Sequence, residues 1–251
     1  MKYHITKGIS AFLIALSLTG CQRSWQASPS LAETNVAVDK GVTIDSVAEA
    51  TIAPYRQQVT SKMTEVIGTS AVELRKAEYE SPLGNFVVDL MLEQAKKVTK
   101  ERIDMATTTN GGLRVPLPQG EILVGHAFEL MPFENELLLL TLDGKTVQEL
   151  FNFAATTKIA PIASATYTVQ NGKATNITIG GKPFNPQQTY TIVTSDYLAG
   201  GGDNMAMFNK AVKKEKLGLM LRDAIITHIK ELTAQGKPVT TATNKRVTVL
   251  P

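Results

Sequence analysis

Two glycine-rich segments and one aromatic turn hold the residues best suited to chemistry. The first segment, Asn110-Gly111-Gly112-Leu113-Arg114, follows a short buried strand predicted for residues 102–107. Glycines let a ligand approach the backbone closely and leave N–H groups free, and an arginine can bind a phosphate or a carboxylate through two parallel hydrogen bonds. By itself, the same pattern is more often just an ordinary tight turn.

The second segment runs from Tyr197 to Asp203 and places an aromatic ring six residues before a carboxylate, across three consecutive glycines. An aromatic face can stack on a planar base, and an aspartate can accept hydrogen bonds from the hydroxyls of a ribose. The aromatic turn, residues 131–135, contains Phe133, which would ordinarily be a core residue. Taken singly, these features also fit a loop with a solvated aspartate and a packed phenylalanine.

Taken together and in order, five segments resemble the C-terminal, substrate-binding domain of bacterial and animal 5′-nucleotidases. The resemblance covers residues 62–251, and its most specific parts are the second glycine segment and the aromatic turn. The five segments are SPLGNFVVDLM (81–91), NGGLR (110–114), PFEN (132–135), LDGKTVQELF (142–151) and SDYLAGGGDNM (195–205).

The resemblance implies a binding role for each matching residue. Phe133 and Tyr197 would sandwich the base, Asp203 would hold the ribose hydroxyls, and Asn135 would contact the base edge. Arg114 would neutralise the phosphate, with Gly111 and Gly112 in the loop before it. The asparagine that opens this loop in the family corresponds to either Thr109 or Asn110. Because Arg114 is the one clear phosphate arginine, the base and ribose contacts are better preserved than the phosphate contacts.

The resemblance also implies that the catalytic part of the family is not in this sequence. In the family, an N-terminal metallophosphoesterase domain uses several histidines to bind two metals. The two metals generate a hydroxide and stabilise the leaving oxygen. This chain has three histidines, of which His4 lies in the predicted export signal. We expect structural roles for His126 and His228, no metal or cofactor bound by this chain, and no nucleotide hydrolysis by this chain alone.

The first twenty residues are typical of a bacterial export signal. Lys2 and Lys7 precede an apolar run that is too short to span a bilayer, and the run ends in Leu18-Thr19-Gly20-Cys21. This ending resembles a lipobox, in which Cys21 becomes the first mature residue and carries lipid. The alternative is an ordinary signal peptide with an incidental cysteine. Residues 21–61 are interpreted as a tether that leads into a helix near residues 46–62, or as a tether with an extra helix packed on the domain.

Composition excludes several other classes of protein. A chain of 251 residues with 43% hydrophobic and 20% charged residues is neither fibrous nor disordered, nor does it have several membrane spans. One cysteine cannot form a disulfide framework within the chain. A net charge of +3, to which Lys2 and Lys7 contribute, does not indicate a nucleic-acid partner.

The remaining residues predict alternating helices and strands, so the fold class is α/β with a mixed sheet and packed helices. Helices are predicted at 82–99, capped by Ser81, at 146–155, opened by a Thr146-x-x-Glu149 capping box, and at 216–234. Strands are predicted at 65–74, 102–107, 121–124, 136–142, 166–169, 177–179, 189–194 and 246–249.

Three hypotheses follow for function. The first is a lipid-anchored nucleotide-recognition subunit in the cell envelope, on the periplasmic or extracytoplasmic face, that works with a separate metallophosphoesterase chain carrying two divalent metals. The second is a nucleoside- or nucleotide-binding lipoprotein for capture and uptake. The third is an interaction module that has kept the fold and lost the site.

Overall fold

The computed structural model describes residue 39, residues 41–240 and residues 245–250. The described residues from Ala50 onward belong to one compact unit. The predicted signal peptide, Cys21 and the tether up to residue 38 lie outside the described residues. Within the described ranges, no helix combines the length and the apolar character needed to cross a membrane.

Six α-helices are present in the described residues, together with two short 3₁₀ helices, Gly202–Asn204 and Ala206–Lys210. The α-helices are α1 (Ser46–Met63), α2 (Pro82–Val98), α3 (Val124–Leu130), α4 (Gly144–Thr157), α5 (Asp196–Ala199) and α6 (Leu221–Ala234). The strands are β1 (Val66–Ser70), β2 (Met105–Thr107), β3 (Gly120–Leu123), β4 (Glu136–Asp143), β5 (Ile162–Ala163), β6 (Ala165–Gln170), β7 (Lys173–Ile179), β8 (Lys182–Pro183), β9 (Thr189–Ser195), β10 (Lys213–Met220) and β11 (Val247–Val249).

The strands form three sheets, and the mixed α/β fold class is confirmed. The central sheet has the order β10-β4-β9-β2-β5, in which β2 and β9 are parallel and the other neighbours are antiparallel. A second sheet has the order β11-β6-β7-β8, and β1 pairs with β3 in a two-stranded ribbon. The Asn-Gly turn after β6 and the Gly-Gly turn after β7 lie where the sequence predicts them, because their positive φ angles suit tight hairpins.

The central sheet is buried on both faces and separates two hydrophobic cores. Leu137 and Leu139 of β4 point into a core shared with α2, α6 and the β1–β3 ribbon. Leu138 and Leu140 point into a second core shared with α4 and the second sheet. Side chains alternate between the two faces of a strand, so the run of four leucines supplies both cores and fixes β4 as an interior strand.

Helix α2 begins as its sequence predicts. Ser81 has extended backbone angles, and its hydroxyl accepts a hydrogen bond from the backbone N–H of Gly84 at 3.0 Å. Pro82 occupies the first turn, where a missing N–H costs nothing. Helix α1 also agrees with the predicted range 46–62, and none of its residues is buried.

Two local predictions are wrong, and one short helix is missed. Residues 216–220 belong to β10 and not to the last helix, because β10 pairs with the edge of β4 and the helix begins only at Leu221. Helix α4 begins at Gly144, and the carboxylate of Asp143, not a Thr146 capping box, accepts the N–H of Thr146 at 2.7 Å. Helix α3 was not predicted, since its seven residues are too few to show a helical hydrophobic period.

Candidate functional site

Sheet topology brings the three sequence segments to one edge of the central sheet. Because β2 and β9 are parallel neighbours, the chain leaves both strands at the same edge, entering the first glycine segment after Thr107 and the second after Ser195. Strand β4 is antiparallel to β9, with Leu137 opposite Ser195. The aromatic turn that precedes β4 therefore lies at this edge as well.

A cleft of about 310 Å³ lies between these segments. We call it the edge cleft. It is lined by seven of the eight residues predicted to bind substrate, namely Gly111, Gly112, Arg114, Phe133, Asn135, Tyr197 and Asp203.

The eighth predicted residue, Asn110, does not line the edge cleft. Its side-chain amide donates to the carbonyl of Ala77 at 3.0 Å, and its backbone N–H donates to the carbonyl of Ile159 at 2.8 Å. Of the two residues that could fill the family's asparagine position, Thr109 is the one that contacts the cleft, through the carboxylate of Asp203. Asn110 instead ties the glycine segment to the neighbouring loops.

The carboxylate of Asp203 is held between two hydroxyl groups. The hydroxyl of Thr109 donates to Oδ2, and the hydroxyl of Tyr197 donates to Oδ1 at 3.0 Å. The backbone N–H of Asp203 in turn donates to the same Tyr197 oxygen at 3.3 Å. Asp203 has a φ of +50°, a left-handed conformation that an aspartate adopts more easily than most residues. These contacts link the two glycine segments through one side chain.

Two positions in the site require glycine because another side chain packs directly against their Cα atoms. A Cβ on Gly111 would lie 2.8 Å from Oδ2 of Asp203, and a Cβ on Gly202 would lie 2.5 Å from the ring of Tyr197. Neither position can therefore carry a side chain without moving the carboxylate or the ring. The sequence indicates glycine-rich loops, but the reason for these two glycines is visible only in the fold.

Arg222, at the start of α6, holds the aromatic turn and was missed by the sequence analysis. Its guanidinium donates to the backbone carbonyls of Met131 and Phe133 at 3.3 and 3.4 Å, and to a carboxylate oxygen of Glu134 at 2.8 Å. The guanidinium also lies 4.2 Å from the ring centre of Phe128. Only 10% of the Arg222 side chain is exposed, so this cation is committed to the turn.

Lys76 plays a similar part for the first glycine segment. Its ammonium group donates to the carbonyls of Asn110 and Leu113, at 3.1 and 2.6 Å. The backbone N–H of Arg114 donates to the carbonyl of Leu130 at 2.9 Å, which joins this segment to the end of α3. Neither Lys76 nor Arg222 lies in a motif, so spacing in the sequence gave no signal for either.

The edge cleft combines exposed aromatic rings with one cation and one anion. Phe133 and Tyr197 are 44% and 53% exposed, although aromatic rings of this size are normally buried. Arg114 and Asp203 supply opposite charges in the same cleft. This set can stack on a planar group, accept hydrogen bonds from hydroxyls and bind an anion. One carboxylate and one amide do not supply the ligands of a two-metal centre, so the cleft residues do not fit one.

The two described histidines lie outside the edge cleft. Nδ1 of His126 accepts the backbone N–H of Leu123 at 3.1 Å, which caps the start of α3. His228 packs on Phe86 with ring centres 5.7 Å apart. Both contacts agree with the structural roles expected from the sequence.

The described residues contain one cluster with metal-ligand chemistry, formed by Glu93, His228 and Glu231 between α2 and α6. Both carboxylates of this cluster form ion pairs with Lys97, whose ammonium lies 3.4 Å from Glu93 and 2.6 Å from Glu231. The amide of Gln94 donates to the same Glu231 carboxylate at 2.6 Å. The hydrogen bond from Lys97 lowers the pKa of Glu231. The cluster is thus an ion-pair network that joins two helices.

Comparison with known proteins identifies the family of this chain. Residues 64–210 match the family model for the 5′-nucleotidase C-terminal domain, and this range contains all seven cleft residues. The chain belongs to this family.

Similar curated proteins are considerably longer than this chain. The trifunctional nucleotide phosphoesterase YfkN of Bacillus subtilis is 30% identical in an alignment of 176 positions that covers 63% of this chain and 12% of that protein. The cell wall protein Lmo0130 of Listeria monocytogenes is 29% identical over 85% of this chain and 28% of its own length. A 5′-nucleotidase of Vibrio vulnificus is 27% identical over 67% of this chain and 31% of its own length. The chain thus spans less than a third of each of these relatives.

Solved structures share the fold. A 5′-nucleotidase precursor from Thermus thermophilus superimposes with a TM-score of 0.69 at 24% identity, covering 81% of this chain and 43% of that chain. A sulfate thiohydrolase, SoxB, of Thermus thermophilus superimposes with a TM-score of 0.57 at 15% identity, covering 81% of this chain and 38% of that chain. Because proteins named for different substrates share the fold, function must be argued from the site.

The close approach at Gly202 leads to a prediction about the edge cleft. Gly202→Ala should displace the ring of Tyr197 and break its hydrogen bond to Asp203, at a stability cost of about 1–3 kcal/mol for overpacking. A crystal structure and a denaturant titration of the variant measure both effects. Gly200→Ala is the matched control, because its Cβ would meet only ordinary contacts at 3.5 Å. An unchanged Tyr197–Asp203 distance in Gly202→Ala would contradict the prediction.

His228 should make stability depend on pH. Burial lowers the pKa of His228 below its usual value of 6.5, and the negative charge of Glu93, which raises the pKa, offsets only part of this effect. The unfolded chain therefore takes up a proton near pH 6.5, whereas the folded chain takes it up only at lower pH. The free energy of unfolding should fall as the pH drops from 7.5 to 5.5, by at most about 1.4 kcal/mol per pH unit. Urea titrations at both pH values should show a smaller pH effect in His228→Gln than in the wild type. Equal effects would refute this assignment.

Proposed function

We propose that this chain is the nucleotide-recognition part of a split 5′-nucleotidase. In this proposal, the edge cleft binds the nucleoside portion of the substrate, and a separate metallophosphoesterase chain, carrying two divalent metals, hydrolyses the phosphate ester. The observation that carries the proposal is the meeting of two exposed aromatic rings, one carboxylate and one arginine in a single cleft of a 5′-nucleotidase C-terminal domain.

Each cleft residue has a role in this proposal. Phe133 and Tyr197 stack on the two faces of the base, because an exposed ring gains contact and loses water when it meets a planar ligand. Asn135 offers an amide to the base edge, and Asp203 accepts the hydroxyls of the ribose. Arg114 binds the phosphate and turns it toward the partner chain. The contribution of this chain is therefore to bind and orient the substrate.

The proposal also includes an anchor in the cell envelope. The lipobox-like ending at Cys21 supports attachment through lipid on that cysteine, with the domain on the periplasmic or extracytoplasmic face. Residues 22–61 then separate the lipid from the domain. An anchored recognition subunit would keep captured nucleotide next to an enzyme in the same compartment.

Binding is the first test. Calorimetric titration with adenosine and AMP should give saturable binding to the wild type. Tyr197→Ala and Phe133→Ala should each weaken it by about 5- to 100-fold, the range expected when a base loses about 1–3 kcal/mol of aromatic stacking. Tyr55→Ala is the matched control, since Tyr55 is an exposed aromatic residue of α1 that does not line the edge cleft. Absence of binding, or equal effects of all three substitutions, would favour an interaction module without a ligand site.

Hydrolysis is the second test. Phosphate release from AMP should require this chain, a metallophosphoesterase chain encoded beside it and a divalent metal. Binding without any partner-dependent hydrolysis would instead favour a lipoprotein that captures nucleosides or nucleotides for uptake. Metal-dependent phosphate release by this chain alone would overturn the division of labour.

The anchor can be tested separately. Cells that express the chain should incorporate labelled palmitate into it, and the protein should partition into the detergent phase with the membranes. Cys21→Ser should lose both the label and the partitioning. A wild-type chain that carries no lipid label would refute the anchor without affecting the proposal for the edge cleft.

A further inference from the structure

Thr109 lies beside the edge cleft, and the sequence leaves open whether it or Asn110 fills the family's asparagine position. Thr109 lies two residues after the end of β2 and is only 1% exposed. Its hydroxyl donates to Oδ2 of Asp203, a residue 94 positions further along the chain. A buried hydroxyl that donates its proton to a carboxylate in a cleft can fix the orientation of that carboxylate.

The carboxylate needs such a contact. The torsion that turns an aspartate carboxylate about its Cβ–Cγ bond has broad, shallow minima, so a free carboxylate rotates easily. Asp203 also sits in a left-handed backbone conformation, which its surroundings must maintain. The hydroxyl of Tyr197 holds Oδ1, but the Tyr197 side chain is itself 53% exposed and faces the cleft. Thr109 is therefore the fixed member of the pair.

The two contacts leave a defined acceptor geometry for a ligand. A carboxylate has about four lone-pair positions, two on each oxygen. Thr109 uses one position on Oδ2, and Tyr197 uses one on Oδ1. One position on each oxygen remains, which matches the two neighbouring hydroxyls of a ribose. A 2′-deoxyribose would occupy only one of them and leave the other unpaired.

We infer that Thr109 is a positioning residue that fixes the carboxylate of Asp203 and thereby sets the preference of the edge cleft for ribose over 2′-deoxyribose ligands. This inference rests on the proposed function, since it requires Asp203 to receive the sugar. Thr109 acts through Asp203 and makes no contact with the ligand itself.

The test compares Thr109→Val with Thr109→Ser. Valine keeps the shape of threonine and removes the hydroxyl, whereas serine keeps the hydroxyl. Calorimetry on the full chain uses adenosine, guanosine, cytidine and uridine and their 2′-deoxy counterparts. In Thr109→Val, affinity for the ribonucleosides should fall about tenfold, as for loss of one charge-assisted hydrogen bond, and affinity for the 2′-deoxynucleosides less than twofold. Thr109→Ser should keep the wild-type ratio.

Thr194→Val provides the matched control. Thr194 is a fully buried threonine of β9 whose hydroxyl has no hydrogen-bond partner among the described residues, so its replacement should leave the ratio unchanged. Thermal unfolding of every variant separates a loss of fold from a loss of preference. A merely structural role for Thr109 would weaken both classes of nucleoside equally, and that result would overturn the inference.

The outcomes also separate this inference from the proposed function. If Asp203→Asn abolishes the preference for ribonucleosides and Thr109→Val retains it, the inference is wrong and the proposed function stands. If the wild type binds none of the nucleosides, or Asp203→Asn leaves the preference intact, the proposed role of Asp203 is wrong and the inference falls with it.

Discussion

The site depends on the parallel pairing of β2 with β9. Met105 lies opposite Ile192, so the chain leaves both strands at one edge of the sheet, and the hydroxyl of Thr109 can reach the carboxylate of Asp203 across 94 residues of sequence. A shift of one residue in this register would turn alternate side chains to the opposite face and separate the two groups. Two hydrophobic cores on the faces of the central sheet resist that shift.

The aromatic turn, which the pairing of β4 with β9 brings to this edge, is held in addition by electrostatics. Arg222 is largely buried and donates to two backbone carbonyls of the aromatic turn. Because these acceptors belong to the backbone, the guanidinium holds the turn without the help of a partner side chain. The turn can thus expose Phe133 to solvent while its backbone stays in place. Exposed rings on a fixed backbone are what a stacking site needs, because little conformational entropy is lost when a planar ligand binds.

The same architecture explains why recognition and bond cleavage are assigned to different chains in the proposed function. The edge cleft offers shape, stacking and one charge of each sign, which suits binding and orientation. Attack by water at neutral pH requires that the pKa of the attacking water be much lower than that of free water, and in two-metal sites the bound metals lower it. The Glu93–His228–Glu231 cluster is separate from the cleft residues, and both of its carboxylates are paired with Lys97.

The sequence alone determined the fold class and most strands and helices, because periodicity and turn chemistry are encoded in neighbouring residues. Its resemblance to the 5′-nucleotidase family, and not a local pattern, predicted the seven residues that meet in the edge cleft. The sequence misplaced the start of α6, where β10 pairs with β4, since pairing with a distant strand overrides local helical spacing. Only the tertiary structure decided that Thr109 and not Asn110 faces Asp203, and that Arg222 holds the aromatic turn. Both depend on contacts between residues about 90 positions apart, which no local pattern records.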